Sequence, residues 1–250
     1  MPTNKANRSS VVLLLIGFIV LFIAIVQTTD PLPQDNAYHQ FADKRPWLSL
    51  PNFFDIISNL PFAGIGVAGL ILCLKDNPRL IIVSWSVFFT GLTLVCIGSS
   101  YYHWQPNNAT LFWDRLPMTI SFMALLAALL TENVWPRREQ LLLPCALLLG
   151  LSSVVYWRVS HDLRFYAFVQ FGTLLAIPLV VMVGKKRYTH RHYLLYGLLF
   201  YILAKLFELN DREIFRLTGQ SLSGHTLKHL AAAAATYCVY RMLKQRSALV

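Results

Sequence analysis

Residues 98–118, GSSYYHWQPNNATLFWDRLPM, join two long apolar runs. A stretch of about 20 apolar residues crosses a bilayer. Gln, Pro and two Asn between two such runs read as the tip of a helical hairpin at a membrane face. At the two ends of this joint stand Ser99, His103 and Asp114. Ionisable groups are expensive inside spans, so those found there are functional candidates by default.

Outward from the hairpin, eight apolar stretches qualify as spans: 11–27, 53–74, 80–102, 110–131, 140–157, 165–184, 192–209 and 223–243. The 250 residues are 56% hydrophobic and only 14% charged, where a soluble domain carries roughly a quarter charged residues. The chain is therefore expected to be an all-α polytopic membrane protein. Its net charge of +10 invites a nucleic-acid partner, but the basic residues lie in short loops between spans, so no nucleic acid is expected. Cys73, Cys96, Cys145 and Cys238 lie singly in apolar runs, which argues against a disulfide framework or thiolate metal site. The first run follows Lys5 and Arg8 as a signal peptide would, yet lacks a small-x-small cleavage site, so a retained span is expected.

With the N-terminus inside, the inside segments hold Lys5, Arg8, Lys75, Arg79, Arg137, Arg138, Lys185, Lys186, Arg187, Arg191, Arg241, Lys244 and Arg246. The outside segments hold fewer: Lys44, Arg45, Arg158, Arg164, Arg212 and Arg216. This bias places both termini in the cytoplasm. His103 then ends the third span, Asp114 begins the fourth, and His225 and His229 begin the eighth, all toward the outer face.

His225 and His229 are i and i+4, so a helix presents both imidazoles on one face. With His103 they supply three nitrogen ligands and leave a fourth zinc position for water, the arrangement of catalytic rather than structural sites. Asp114 is then placed to exchange protons with that water and a leaving group, and Ser99 to hold the water or a developing oxyanion. From the pattern alone, a metal site, a structural polar cluster and a proton pathway all stand. His39, His161, His190 and His192 read as interfacial or hydrogen-bonded structural residues. Lys228 is expected to point off the histidine face and reach the interface, and Tyr101, Tyr102, Trp104 and Trp113 to form an aromatic belt. Lys205, Glu208, Asp211 and Arg212 suggest an ion-pair network closing the seventh span.

Gly98-Ser99-x3-His103, Asp114-x-Leu116-Pro117-Met118 and His225-x3-His229 together resemble the alkaline ceramidase family, within a superfamily of seven-helix membrane hydrolases that includes adiponectin-type receptors. The opening of the second span, Asn52 to Leu60, is similar to that family's first core span. The resemblance implies a seven-transmembrane-helix bundle over 51–250, with residues 1–50 contributing an extra N-terminal transmembrane helix and an outer loop. It also implies zinc on His103, His225 and His229, with Asp114 activating water and Ser99 contacting water or oxyanion. The implied reaction is hydrolysis of a lipid amide, ceramide or another N-acyl lipid, whose substrate enters from the bilayer. The family's calcium does not carry over cleanly: Asp30, Asp35 and Asp43 depart from its acidic spacing, and Asn52 stands where a glutamate is expected. These aspartates read instead as a solvated loop. A receptor or sensor on the same scaffold, with a mainly structural zinc site, is the alternative. Short loops and a compact length suit a bacterial inner membrane.

Overall fold

The computed structural model describes residues 3–75, 83–183 and 185–249. Arg79, residues 80–82 at the start of the third expected span, residue 184 at the end of the sixth, and the Lys5 and Arg8 side chains lie outside the described residues. The described chain is helical without strands: α1 (Thr3–Thr28), α2 (Phe53–Ile57), α3 (Leu60–Lys75), α4 (Val83–Trp104), α5 (Asn108–Asn133), α6 (Glu139–Ser160), α7 (Arg164–Val183), α8 (His192–Leu209), α9 (Asp211–Leu217) and α10 (Gly224–Gln245).

By length and composition, seven described segments can cross a membrane: α1, α2 with α3, and α4 to α8. The last helix, α10, is long enough at 22 residues, about 33 Å at 1.5 Å per residue, but is not apolar enough to join them. The reason is its position. It packs on α8 and α3 and buries Ala231, Ala233 and Ala235 among its neighbours. A helix inside a bundle needs little lipid-facing surface, and small residues let neighbouring backbones approach. The fold is an all-α polytopic membrane bundle, with α1 lying against α7.

The expected span 53–74 is broken. Pro61 cannot donate a backbone hydrogen bond, and its ring crowds the preceding turn, so α2 stops at Ile57 and α3 begins at Leu60. At the break, the carbonyl of Asp55 accepts from Ser58 Oγ at 3.1 Å and Asn59 Nδ2 at 2.8 Å. Two side chains thus satisfy a buried carbonyl that a continuous helix would have paired with a backbone N–H.

The hairpin of α4 and α5 is the closest packing in the core. A Cβ placed on Gly98 would lie 2.1 Å from the carbonyl oxygen of Trp113. That carbonyl is four residues before Pro117, which lies inside α5 and cannot donate to it. Gly98 brings α4 against this oxygen, which lacks its usual i+4 donor. One turn of polar contact lies below, where Ser121 Oγ donates to Phe88 O at 3.3 Å and Pro117 O at 3.1 Å. The tip is held by an Asn107 capping box with Thr110.

Of the aspartates in residues 29–50, Asp30 and Asp35 are exposed as in a solvated loop, but Asp43 is buried and the segment is fastened down. The segment forms a strap across the end of the bundle that carries the histidines. Leu32 N donates to Asp162 Oδ1 at 3.1 Å and Gln34 Oε1 accepts from Arg115 Nη2 at 2.6 Å. Tyr38 OH donates to Glu208 Oε1 at 3.1 Å, and Ala42 N donates to Asp211 Oδ2 at 2.8 Å. Asp35 caps a short 3-10 turn through Ala37 N, while Asp43 is buried and paired with Arg45 at 2.6 Å.

Two outcomes are expected. Gly98→Ala forces α4 and α5 apart, with a cost of about 1–3 kcal/mol and a lowered unfolding midpoint in detergent. Asp162 is held below the usual carboxylate range, chiefly by hydrogen bonds from the Arg164 side chain, so its stabilising contribution is complete above about pH 4 and fades as pH falls through the lowered value. The midpoint of Asp162→Ala is therefore expected below wild type at pH 7, and the two are expected to converge at strongly acidic pH.

Candidate metal centre

The N-terminus of α10 is built by polar side chains that its sequence supplies. Ser223 caps the helix through Thr226 N at 3.0 Å, and Thr226 Oγ1 donates to Asp55 Oδ1 at 2.8 Å. Asp211 Oδ1 accepts from His225 N at 2.8 Å. These bonds fix the rotation of α10 and direct His225 and His229 inward. From the facing side, α4 delivers His103, whose carbonyl accepts from Asn52 Nδ2 at 2.8 Å.

The three imidazoles converge. One ligand nitrogen from each of His103, His225 and His229 lies within 4.8 Å of the others, and all three residues are at most 4% exposed. Phe41 of the strap lies 4.6 Å from the ring centroids of both His103 and His225, closing the group from above. Ser58 Oγ lies 2.7 Å from His229 Nδ1 and itself donates to Asp55 O. With the serine hydrogen assigned to that carbonyl, Nδ1 donates to Ser58 and Nε2 is left bare. His103 Nδ1 is buried without a protein partner, which is rare for an imidazole nitrogen. Three mutually facing imidazoles, one with an orphaned nitrogen and one oriented by a hydroxyl behind it, fit a divalent zinc-type ion. Among the described residues this is the only such group of His, Cys, Asp and Glu. The strap aspartates do not converge on a second.

Asp114 and Ser99 are both buried and line the same cavity. With His229, Asn59 and Lys228 they form the polar end of this cavity of about 130 Å³. Its other end is apolar, walled by Phe88, Leu125, Ile177, Leu194 and Val239. From Ser99 to Phe88 the wall follows α4 for about 16 Å, at 1.5 Å per residue.

Some expectations change. Lys228 does not reach the interface; it pairs with Glu208 at 2.6 Å, lines the cavity and approaches His225 Nε2 at 3.5 Å. Glu208 also pairs with Lys205 at 2.5 Å, whereas Asp211 serves backbone N–H groups of Ala42 and His225. Tyr102 is 1% exposed and stands outside any aromatic belt; its hydroxyl meets His39 Nδ1 at 2.9 Å. Tyr101, Trp104 and Trp113 are exposed. His39 is satisfied by Tyr102 and Asn108, and His161 and His190 hold left-handed backbone at helix ends. None of these joins the cluster. Ser58, Asn59 and Phe41 do adjoin it. The i, i+4 spacing of Asp55 and Asn59 inside an expected span is a sequence signal for Asn59; Ser58 and Phe41 carry none.

A protein-family model described as Ceramidase matches residues 50–248. The chain belongs to the ceramidase family. No curated protein sequence matches it. Membership makes the chain a membrane-embedded hydrolase of the class that cleaves lipid amide bonds. The strap and α1 precede the part of the chain that the ceramidase model covers, although the strap covers the histidines of the ceramidase core.

Ser58→Ala removes the acceptor behind His229. It is expected to weaken metal binding about 10–100-fold, measured by chelator competition against the purified protein, while the helical content is unchanged.

Proposed function

We propose that this chain is a zinc-dependent membrane amidase that hydrolyses an N-acyl lipid, ceramide or a chemical relative, to a fatty acid and an amine. The observation that carries this is the continuity of the site: the cavity starts at His229, Asp114 and Ser99 and continues as an apolar channel. Polar chemistry at one end and an acyl-sized apolar wall at the other match a lipid whose scissile carbonyl sits at the head of its chain.

His103, His225 and His229 would hold the zinc. When bound, zinc polarises a carbonyl and lowers the pKa of adjacent water toward about 7. Asp114 takes a proton from the attacking water as its oxygen adds to the amide carbon. It then returns that proton to the nitrogen as the C–N bond breaks. Ser99, on the same cavity wall, would hold the water or the developing oxyanion. The strap keeps bulk water from the histidines, so substrate arrives from the bilayer rather than across the capped end.

The chain would sit in a bacterial inner membrane with both termini in the cytoplasm and the site toward the outer face. Arg187, Arg191, Arg241 and Lys244 lie at the ends of helices opposite the histidine end, in keeping with this orientation.

Asp114→Asn is expected to retain stoichiometric zinc and to lose about 10²–10⁴-fold in turnover, read as free fatty acid released from N-acyl lipid by detergent-solubilised protein. Full turnover in Asp114→Asn, or in metal-free folded protein, would falsify the reading.

A further inference from the structure

We infer that Asn59 is the residue that selects an amide over an ester, by accepting a hydrogen bond from the substrate N–H. This rests on the amidase reading and adds the bond type that the site is built to recognise.

Asn59 is 0% exposed and lines the cavity beside His229, Ser99 and Asp114. Its Nδ2 donates to the carbonyl of Asp55 at 2.8 Å. A carbonyl only accepts, so this bond fixes which end of the side-chain amide is oxygen. The Oδ1 left over has no protein partner. A buried amide oxygen without a donor is destabilised relative to a paired one, and this one is carried by a residue of the cavity wall.

Its place is set by the same carbonyl that positions the cluster. Asp55 O accepts from Asn59 Nδ2 and from Ser58 Oγ, and Ser58 Oγ in turn contacts His229 Nδ1. Asn59 is thus locked to a cluster histidine through two intervening groups. The donors elsewhere on the cavity wall do not reach it, and Lys228 is held by Glu208. The missing partner is a donor carried by the ligand.

In a secondary amide that donor is the N–H next to the scissile carbonyl. An ester has an acceptor oxygen at the same position and leaves Asn59 Oδ1 unpaired and facing another lone pair. Sites built around a substrate N–H or O–H reject analogues lacking it far more strongly than apolar pockets reject a missing methylene. The hydrogen held by Asn59 stays on nitrogen throughout. Asp114 supplies the additional proton as the C–N bond breaks, so the leaving group departs as a neutral amine and the acid product takes the water oxygen.

The test uses two substrates with the same long acyl chain, N-acyl-7-aminocoumarin and O-acyl-7-hydroxycoumarin, with wild type and Asn59→Leu, which has similar volume but no acceptor. For the amide, kcat/KM is expected to fall about 10–100-fold in Asn59→Leu, and for the ester by less than threefold, with zinc content unchanged. An equal fall on both substrates makes Asn59 a structural residue and overturns the inference while leaving the amidase reading intact. If Asn59→Leu does not fold, wild type decides alone. Its amide-to-ester ratio must exceed that of hydroxide in solution at the same pH, and a ratio equal to hydroxide's overturns the inference. Wild type that cleaves neither substrate overturns the amidase reading and this inference with it.

Discussion

The carbonyl of Asp55, freed by the helix break before Pro61, is the point on which the site depends. A buried carbonyl must be paired, and here the pairing is done by Ser58 and Asn59. That single acceptor orients the hydroxyl behind His229 and fixes the Asn59 amide, leaving its oxygen without a protein donor. The Asp55 side chain meanwhile receives Thr226 from the first turn of α10. Backbone and carboxylate of one residue therefore tie the broken helix to the helix that carries two of the three histidines.

The third histidine is positioned by a different constraint. Gly98 allows α4 to lie against the carbonyl of Trp113, which Pro117 leaves without its usual i+4 donor. The same hairpin thereby brings His103 and Ser99 on α4 to the level of Asp114 on α5. Two prolines, each removing one backbone donor, generate the polar irregularities around which the site is assembled. In a low-dielectric bundle such irregularities survive only where other groups re-satisfy them, and here those groups include the residues that line the cavity.

The strap adds a closed end. Phe41 packs at a tilt against two histidine rings, and the segment is fastened to α5, α8, α9 and the turn before α7 by side chains that a solvated loop would leave free. Arg115 is buried among Trp157 and Tyr166 at 4.1 and 4.7 Å with Gln34 as its strap partner. A cation inside the span region is accommodated here by aromatic faces and an amide rather than by a carboxylate.

The sequence alone determined the membrane class, the hairpin and the membership of His103, His225 and His229 in one end of the bundle. Hydropathy and the i, i+4 spacing are local properties, and local properties are what a chain displays before it folds. The resemblance carried by Gly98 to Met118 and the histidine pair supplied the family. Only the tertiary structure decided that Lys228 turns inward to Glu208, that Tyr102 is buried against His39, and that residues 29–50 cap the site. Those partners lie 20 to 170 residues apart, and no periodicity encodes such a distance. The position of Asn59 belongs with these: hydropathy carries one span through 53–74, and whether the break within it faced lipid or cavity depended on where α10 came to rest.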